Sequence, residues 1–326
     1  MEIGIAYDLR SDFEGADGPD DRLEEYDSAE TVGSVAAALR AQGHRVRLLG
    51  GGRALLSELC DRPPDLVFNM AEGAGSRSRE AHVPAVCELL GIPYTHSDPL
   101  TLAVSLDKAV AKRLVGSAGV ATARWQVVVR EDEDVELDFP VIAKPVAEGS
   151  SIGLRLTSRA ADAGELRPDV ARLLADYGGP ILVEEFCPGA ELTVGILGTG
   201  ASAEPIGVME IVSLRAPLAA FVYSVEVKRA SEEAVEYRSP PELPADTVQR
   251  VIDRALTAYR VLGFRDVARV DFRLDADGEP MFLEANPLPG LQPGRGDIVL
   301  LAERCGLGYE QLIATIVRLA CERQGL

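Results

Sequence analysis

The sequence predicts an α/β chain that becomes α+β over its C-terminal two-thirds, on three observations. Residues 1–94 alternate strand, helix, strand, helix, strand, the order of a parallel sheet with right-handed crossovers. From Trp125 onward, strands follow one another through turns and loops. Near the end, Arg269 to Gly290 reads RVDFRLDADGEPMFLEANPLPG, two strands around a polar Asp-Ala-Asp-Gly turn. A chain of 326 residues that is 47% apolar should form two or three domains with real cores.

Charge and composition exclude several partners. A net charge of −19 repels phosphate backbones, so nucleic acid is not expected. No run approaches the ~18 apolar residues of a membrane span. The chain begins directly as a strand, MEIGIAYDL, without a basic region or cleavage site, which suggests a cytoplasmic protein. Five Cys (60, 87, 187, 305, 321) lack C-x-x-C spacing and read as free thiols, and three His (44, 82, 96) form no ligand cluster. Only the acidic stretch at residues 11–27 reads as a candidate for disorder. Of 33 basic residues only four are Lys (108, 112, 144, 228), which suggests that a compact ammonium is needed at those places.

The elements follow in order. Glu2–Tyr7 alternates as a strand. Asp27, with Glu30 three residues on, reads as the cap of a helix whose apolar stripe is Val32, Val35, Ala36 and Leu39 and which ends near Gly43. Arg45–Leu49 and Leu66–Asn69 are strands. The loops at the carboxyl ends of such strands usually build the site, which singles out the loop after Tyr7 and MAEGAGSRSR at residues 70–79; in the latter, an ordinary Gly-rich turn competes with a functional role for Glu72. A helix at Arg79–Leu90, a short strand at Ile92–Tyr94 and a boundary at Asp98-Pro99 complete this region. A helix at Leu106–Ala118 and a strand at Trp125–Val129 come next.

PVIAKPVAEGSSIGL, residues 140–154, reads as a strand ending in Lys144, a loop through Glu148-Gly149-Ser150-Ser151, and another strand. Small residues let the backbone approach a ligand and turn N–H groups toward phosphate oxygens. Lying between strands, this loop would close as a flap; a plain hairpin loop is the competing reading. Helix Ala163–Tyr177 leads to strand Ile181–Phe186, through Glu184-Glu185-Phe186 and on to Glu191. A nucleotide needs an apolar slot, a backbone edge and a carboxylate for its ribose, and Glu184 or Glu191 could supply the last. After strands at Glu191–Leu197 and Glu204–Val212, the segment 216–244 is too polar for core and too long for a turn. Helix Ala245–Gly263 precedes the hairpin, whose pairing would gather Asp271, Glu284 and Asn286 at one end. Such hard oxygen ligands suit Mg²⁺ with substrate phosphates; ordinary surface acids are the alternative. Helices at Asp297–Cys305 and Tyr309–Glu322 end the chain.

DK-x-x-x-K at 107–112, KPVAEGSSIG at 144–153, VEEF-x-x-G-x-E at 183–191, R-x-DF at 269–272 and E-x-N-P-x-PG at 284–290 occur in one order. In that order they resemble the ATP-grasp ligases, and the chain is similar to the D-alanine–D-alanine ligase branch over its whole length. The resemblance implies a three-domain ATP-grasp fold: an N-terminal parallel-sheet domain (1–98), a central subdomain (99–190) and a C-terminal subdomain carrying the metal site (191–326). ATP would lie between the last two. Lys108 and Lys144 would contact phosphates, with Glu148, Ser150 and Ser151 in the flap. Glu184, Glu185, Phe186 and Glu191 would serve the adenine and ribose. Asp271, Glu284 and Asn286 would hold two Mg²⁺, with Mn²⁺ as an alternative, and Arg269 and Gly290 would steady the reacting oxyanion.

The chain also departs from that family. Where its ligases carry a Glu that anchors the first amino group, Glu25 or Glu30 could take the role. The family's His-Gly is Glu72-Gly73 here. Its E-A-K-Y is Glu226-Val227-Lys228-Arg229, which keeps Lys228, and its Ser for the second carboxylate gives way to a stretch containing Arg295. The resemblance thus implies an ATP-dependent carboxylate–amine ligase that forms an amide between small amino acids through an acyl phosphate. Altered pockets suggest a ligase for another amino acid or peptide in specialised metabolism, with Arg229 and Arg295 taking an extra carboxylate. A non-catalytic ATP-binding regulatory protein is the competing class. An isologous dimer is the default expectation.

Overall fold

The computed structural model describes residues 1–15 and 17–326. Three sheets carry the chain. Strands β1 (Glu2–Ala6), β2 (Arg45–Gly50) and β3 (Leu66–Asn69) form a parallel sheet in the order β2-β1-β3. Helices Ala29–Ala41 and Gly52–Asp61 make its crossovers. A parallel sheet needs both faces covered. Leu55, Leu59, Val83 and Cys87 cover one face. On the other, Ile3, Ile5 and Phe68 pack with Val32 and Leu39, and with Ile313, Ile316 and Val317 from the last helix, Tyr309–Gln324.

The second sheet contains β4 (Trp125–Val128), β5 (Val141–Pro145), β6 (Arg159–Ala160) and β7 (Ile181–Glu185), ordered β4-β7-β5-β6. The third contains β8 (Glu191–Leu197), β9 (Glu204–Ser213), β10 (Val235–Arg238), β11 (Val267–Leu274) and β12 (Pro280–Asn286), ordered β10-β9-β8-β11-β12. Both are antiparallel. Helices Lys108–Ser117 and Ala245–Leu262 back the third sheet through Ala111, Val115, Val251, Ala255 and Tyr259.

Several local expectations are corrected. The first helix is capped by Ser28, whose Oγ accepts from the Thr31 N–H at 3.1 Å, while Asp27 bridges to Leu9. The helix read at Leu106–Ala118 is two, Pro99–Leu106 and Lys108–Ser117. Asp107 adopts an extended conformation between them and accepts from the Val110 N–H at 3.0 Å, restarting the helix. Asp98-Pro99 caps the first of the pair. Residues 92–94 form no strand, and only Tyr94 bridges to Val67. The segment 216–244 holds a small core of its own, in which Phe221, Tyr223, Val227 and Val235 pack on Ile211. The described residues of 11–27 are structured, and Asp21 among them is fully buried.

Candidate active site

The β11–β12 hairpin supplies the floor. Its register sets Asp271 opposite Glu284 and Arg269 opposite Asn286, with a bulge just beyond Asp271. Arg269 grips both oxygens of Asp271 through Nε at 3.0 and 3.1 Å, and reaches Asp297 at 2.8 Å. Thr193 also donates to Asp271. Asn286 Oδ1 accepts from the Leu288 N–H at 3.0 Å. Burial pushes the Asp271 carboxyl up against the pull of Arg269, and Glu284 adds to the push. Burial alone would also raise Glu284, but Lys108, Lys144, Lys228 and Arg269 outweigh it and hold it at about 2.

Among the described residues no group of three His, Cys, Asp or Glu is placed to hold a metal by itself. The hairpin offers two carboxylates and an amide oxygen. That donor set fits Mg²⁺, which takes its remaining ligands from water and substrate phosphates.

Between the second and third sheets lies a cleft. Ile142, Leu192, Val222 and Leu283 give it apolar walls, and Lys144, Glu191, Lys228, Arg269 and Asp271 line it. Glu184 does not stand free for a ribose. Its two oxygens pair with Lys144 at 2.5 Å and Lys112 at 2.8 Å, and Lys112 also donates to the Phe282 carbonyl at 2.8 Å. Burial would raise Glu184, yet the two lysines hold it at about 2. The sequence singled out Lys112 among the four lysines and in the 107–112 motif but gave it no role of its own, although it sits one helical turn after Lys108. Glu185 borders the cleft, but its carboxylate is engaged by Arg124 at 2.8 Å and by the Asp138 N–H at 3.1 Å. Arg273 and Arg159 lie 4.4 and 5.3 Å from the ring centre of Phe186. Glu191 faces the cleft with Arg273, at 3.3 Å, as its one ion-pair partner among the described residues, and burial pushes its carboxyl up.

The loop after β5 lies closed. Ser150 and Ser151 both adopt left-handed conformations, with φ of 48° and 60°. They part company: Ser151 borders the cleft and donates to the Tyr223 carbonyl at 2.7 Å, whereas Ser150 borders a chamber on the other side. Gly153 N–H donates to Asp21 at 2.9 Å, and Gly149 N–H to Glu25. Arg79 holds the Ala147 carbonyl at 2.8 Å and Glu148 at 3.1 Å, and Lys108 donates to the Glu148 carbonyl. The strand expected straight after the loop is reduced to the two residues of β6, because turns run from Thr157 back to Ala147.

The chamber opens between the loops after β1 and β3 and the third sheet. Glu25, Glu72, Ser150, Lys228, Arg269, Gly290 and Arg295 border it. Of the two N-terminal candidates, Glu25 is inside, paired to Arg79 at 2.6 Å; Glu30 is exposed on the first turn of its helix, outside this chamber. Arg229 does not offer a free guanidinium. Its Nε and both terminal nitrogens are engaged by Asp20 and Glu24 at 2.7–3.0 Å. Arg295 is exposed and has no side-chain partner among the described residues. Lys228 lies 5.1 Å from the Tyr223 ring centre, and burial lowers its pKa. Glu80 was not singled out from sequence, yet it borders the deep end beside Glu25 and Glu72. Burial, reinforced by neighbouring acids, pushes Glu72 well up and Glu80 to about 8.

The family described as D-ala D-ala ligase C-terminus matches residues 114–318. A D-alanine–D-alanine ligase of Gluconobacter oxydans is 37% identical over 295 residues, covering 88% of this chain and 91% of its own. One from Bordetella petrii is 35% identical over 287 residues, covering 87% and 84%. The crystal structure of the Bacillus anthracis D-alanine–D-alanine ligase with ATP superposes with a TM-score of 0.75 at 22% identity, covering 100% of this chain and 99% of that one.

Proposed function

We propose residue roles and a substrate range for this site on a fixed premise: the chain belongs to the D-alanine–D-alanine ligase family and is an ATP-grasp, ADP-forming ligase that joins small amino acids. The reaction has a physical obstacle that these residues answer. A carboxylate does not condense with an amine in water, because hydroxide leaves poorly. Attack of the carboxylate on the γ-phosphate gives an acyl phosphate and ADP, and the amine then displaces phosphate. Anions must first be brought together, and two unit charges ~4 Å apart in partly screened surroundings repel by ~4 kcal/mol.

The nucleotide's base goes to the apolar walls near Phe186 and Cys187, with the Glu185 backbone as its edge and Glu191 for the ribose. Glu184 acts through the lysines: it fixes Lys144 for the phosphates from below, with Lys112 balancing its charge. Lys108 and Lys228 add charge from either side. Asp271, Glu284 and Asn286 would hold Mg²⁺ (or Mn²⁺), which when bound neutralises phosphate oxygens. Arg269 and the backbone at Gly290 steady the oxygen that gains charge as the amine attacks. The loop of Glu148, Ser150 and Ser151 covers the phosphates and excludes water from the acyl phosphate. Glu25 anchors the amino end of the carboxyl donor, and Arg295 meets the amine donor's carboxylate. The observation that carries this assignment is the hairpin register, which sets Arg269 and Asp271 against Asn286 and Glu284, with Lys108 pairing to Glu284 at 3.3 Å from another element. The commitment of Arg229 to the acidic loop removes half of the argument for an extra substrate carboxylate. Free thiols and the lack of any helix able to span a membrane, both among the described residues, support a cytoplasmic setting; an isologous dimer is proposed on symmetry alone.

The test is phosphate release from Mg-ATP across D- and L-amino acids, singly and in pairs, with the product weighed by mass spectrometry. Release that requires an amino acid and yields a new amide is expected. A Lys144→Ala variant that folds yet retains the wild-type rate would overturn the phosphate assignment.

A further inference from the structure

The deep end of the chamber gathers more carboxyl groups than one amino acid can use. A pocket there is bordered by Glu25, Glu72, Glu80, Glu148 and Glu284, with Lys108 as the one basic residue among the described residues that line it. Glu25 and Glu148 share Arg79, and Glu284 has Lys108. Glu72 and Glu80 have no ion-pair partner among the described residues. Glu80 is 7% exposed, and its Oε2 is buried without a hydrogen-bond partner. Buried carboxyl groups are normally hydrogen-bonded or paired, so one that borders a cavity with an unsatisfied oxygen suits a ligand bearing a cationic N–H donor.

Resting on the ligase reading above, we propose that Glu25, Glu72 and Glu80 bind a carboxyl-donating substrate that carries a second cationic nitrogen, a diamino or guanidino acid. The same pocket reaches Lys108, Ser150 and Asn286, so a substrate whose carboxylate lies at that end turns its amino end toward the three glutamates. Its α-ammonium satisfies one carboxylate, Glu25. A side-chain ammonium or guanidinium satisfies Glu72 and Glu80. Acidic side chains are repelled there, and Arg229 is too engaged to attract them. Burial, with repulsion from neighbouring acids, raises Glu72 and raises Glu80 against the pull of Arg79 and Lys108, so without ligand they retain protons that an arriving cation displaces.

The experiment uses the full chain with Mg-ATP and compares ornithine, lysine, 2,3-diaminopropionate and arginine with norvaline, norleucine, alanine and glutamate, in both enantiomers. Calorimetry with Mg²⁺ and a non-hydrolysable ATP analogue runs alongside, in buffers of different ionisation enthalpy. The expected result is a kcat/KM at least about tenfold higher for a basic acid than for its neutral counterpart, with proton release on binding. Glu80→Gln and Glu72→Gln should shrink that preference mainly by raising KM for the basic acid. Turnover that favours neutral or acidic substrates overturns the proposal and leaves the ligase reading standing. Selective, proton-releasing binding of a basic acid without any ADP formation supports the chamber assignment and overturns the proposed reaction. Absence of both overturns the proposal. Should either variant fail to fold, the wild-type comparison decides alone.

Discussion

Glu184 shows how much one buried residue organises. It stands between Lys112 and Lys144 with both oxygens engaged and about 1% of its surface exposed. A buried ion pair is weak evidence of net stability, but breaking one leaves an uncompensated charge. Glu184→Gln should therefore cost ~3–5 kcal/mol in urea unfolding and raise KM for ATP, because Lys144 loses its anchor. The motif around Glu184 was legible in the sequence, whereas its partner was not. A carboxylate next to a nucleotide cleft has two plausible uses, and only the positions of Lys112 and Lys144 decide between them. Arg229 teaches the same lesson. Its charge suggested a substrate carboxylate, but Asp20 and Glu24 from a segment 205–209 residues away in sequence consume it.

At the scale of elements, the closed loop after β5 and the acidic stretch before residue 28 form one unit. Asp21 accepts from Gly153 N–H at 2.9 Å and Tyr177 Oη at 2.6 Å, and Arg155 lies 3.2 Å away. Arg155 and Arg229 then clasp Asp20 from both sides. The flap is thus latched by charges that read in sequence as a candidate disordered tract. Asp21→Ala strands a buried N–H and a phenol, a loss of ~1–3 kcal/mol for each unsatisfied group. Hydrogen exchange across residues 147–158 should quicken, and ATP hydrolysis without amide formation should rise. Unchanged exchange would show that the latch does not hold the flap.

The whole molecule folds the chain back on itself. The last helix completes the core of the first sheet, and Arg323 reaches Asp266 at 2.9 Å and the Tyr94 carbonyl at 3.0 Å. The chamber therefore lies among segments distant in sequence, and its acids set the pH dependence of stability. Burial raises Asp27 to about 7 and Glu80 to about 8, from ordinary values of 3.8 and 4.5. The unfolded chain gives up these protons first, so this contribution to stability is greatest below about 4 and falls as pH rises to about 8. Glu184 works in the opposite sense, its stabilisation being lost as pH falls from 4.5 toward about 2. The ligand-free protein should accordingly melt highest in mildly acidic buffer, and Glu80→Gln should flatten the alkaline decline in Tm.

By itself the sequence determined the parallel sheet at the start, the hairpin at the end and the order of the motifs between them. These features rest on local periodicity, turn chemistry and spacing, which neighbours in the chain dictate. It could single out Asp271, Glu284, Asn286 and Lys108 as candidates because their motifs are short. Only the tertiary structure decided that Glu25 and not Glu30 enters the chamber, that Glu80 joins it, and that Arg229 is a latch. Those outcomes depend on burial and on which charges from remote segments meet, because a carboxylate or guanidinium takes its role from the partner it finds in space.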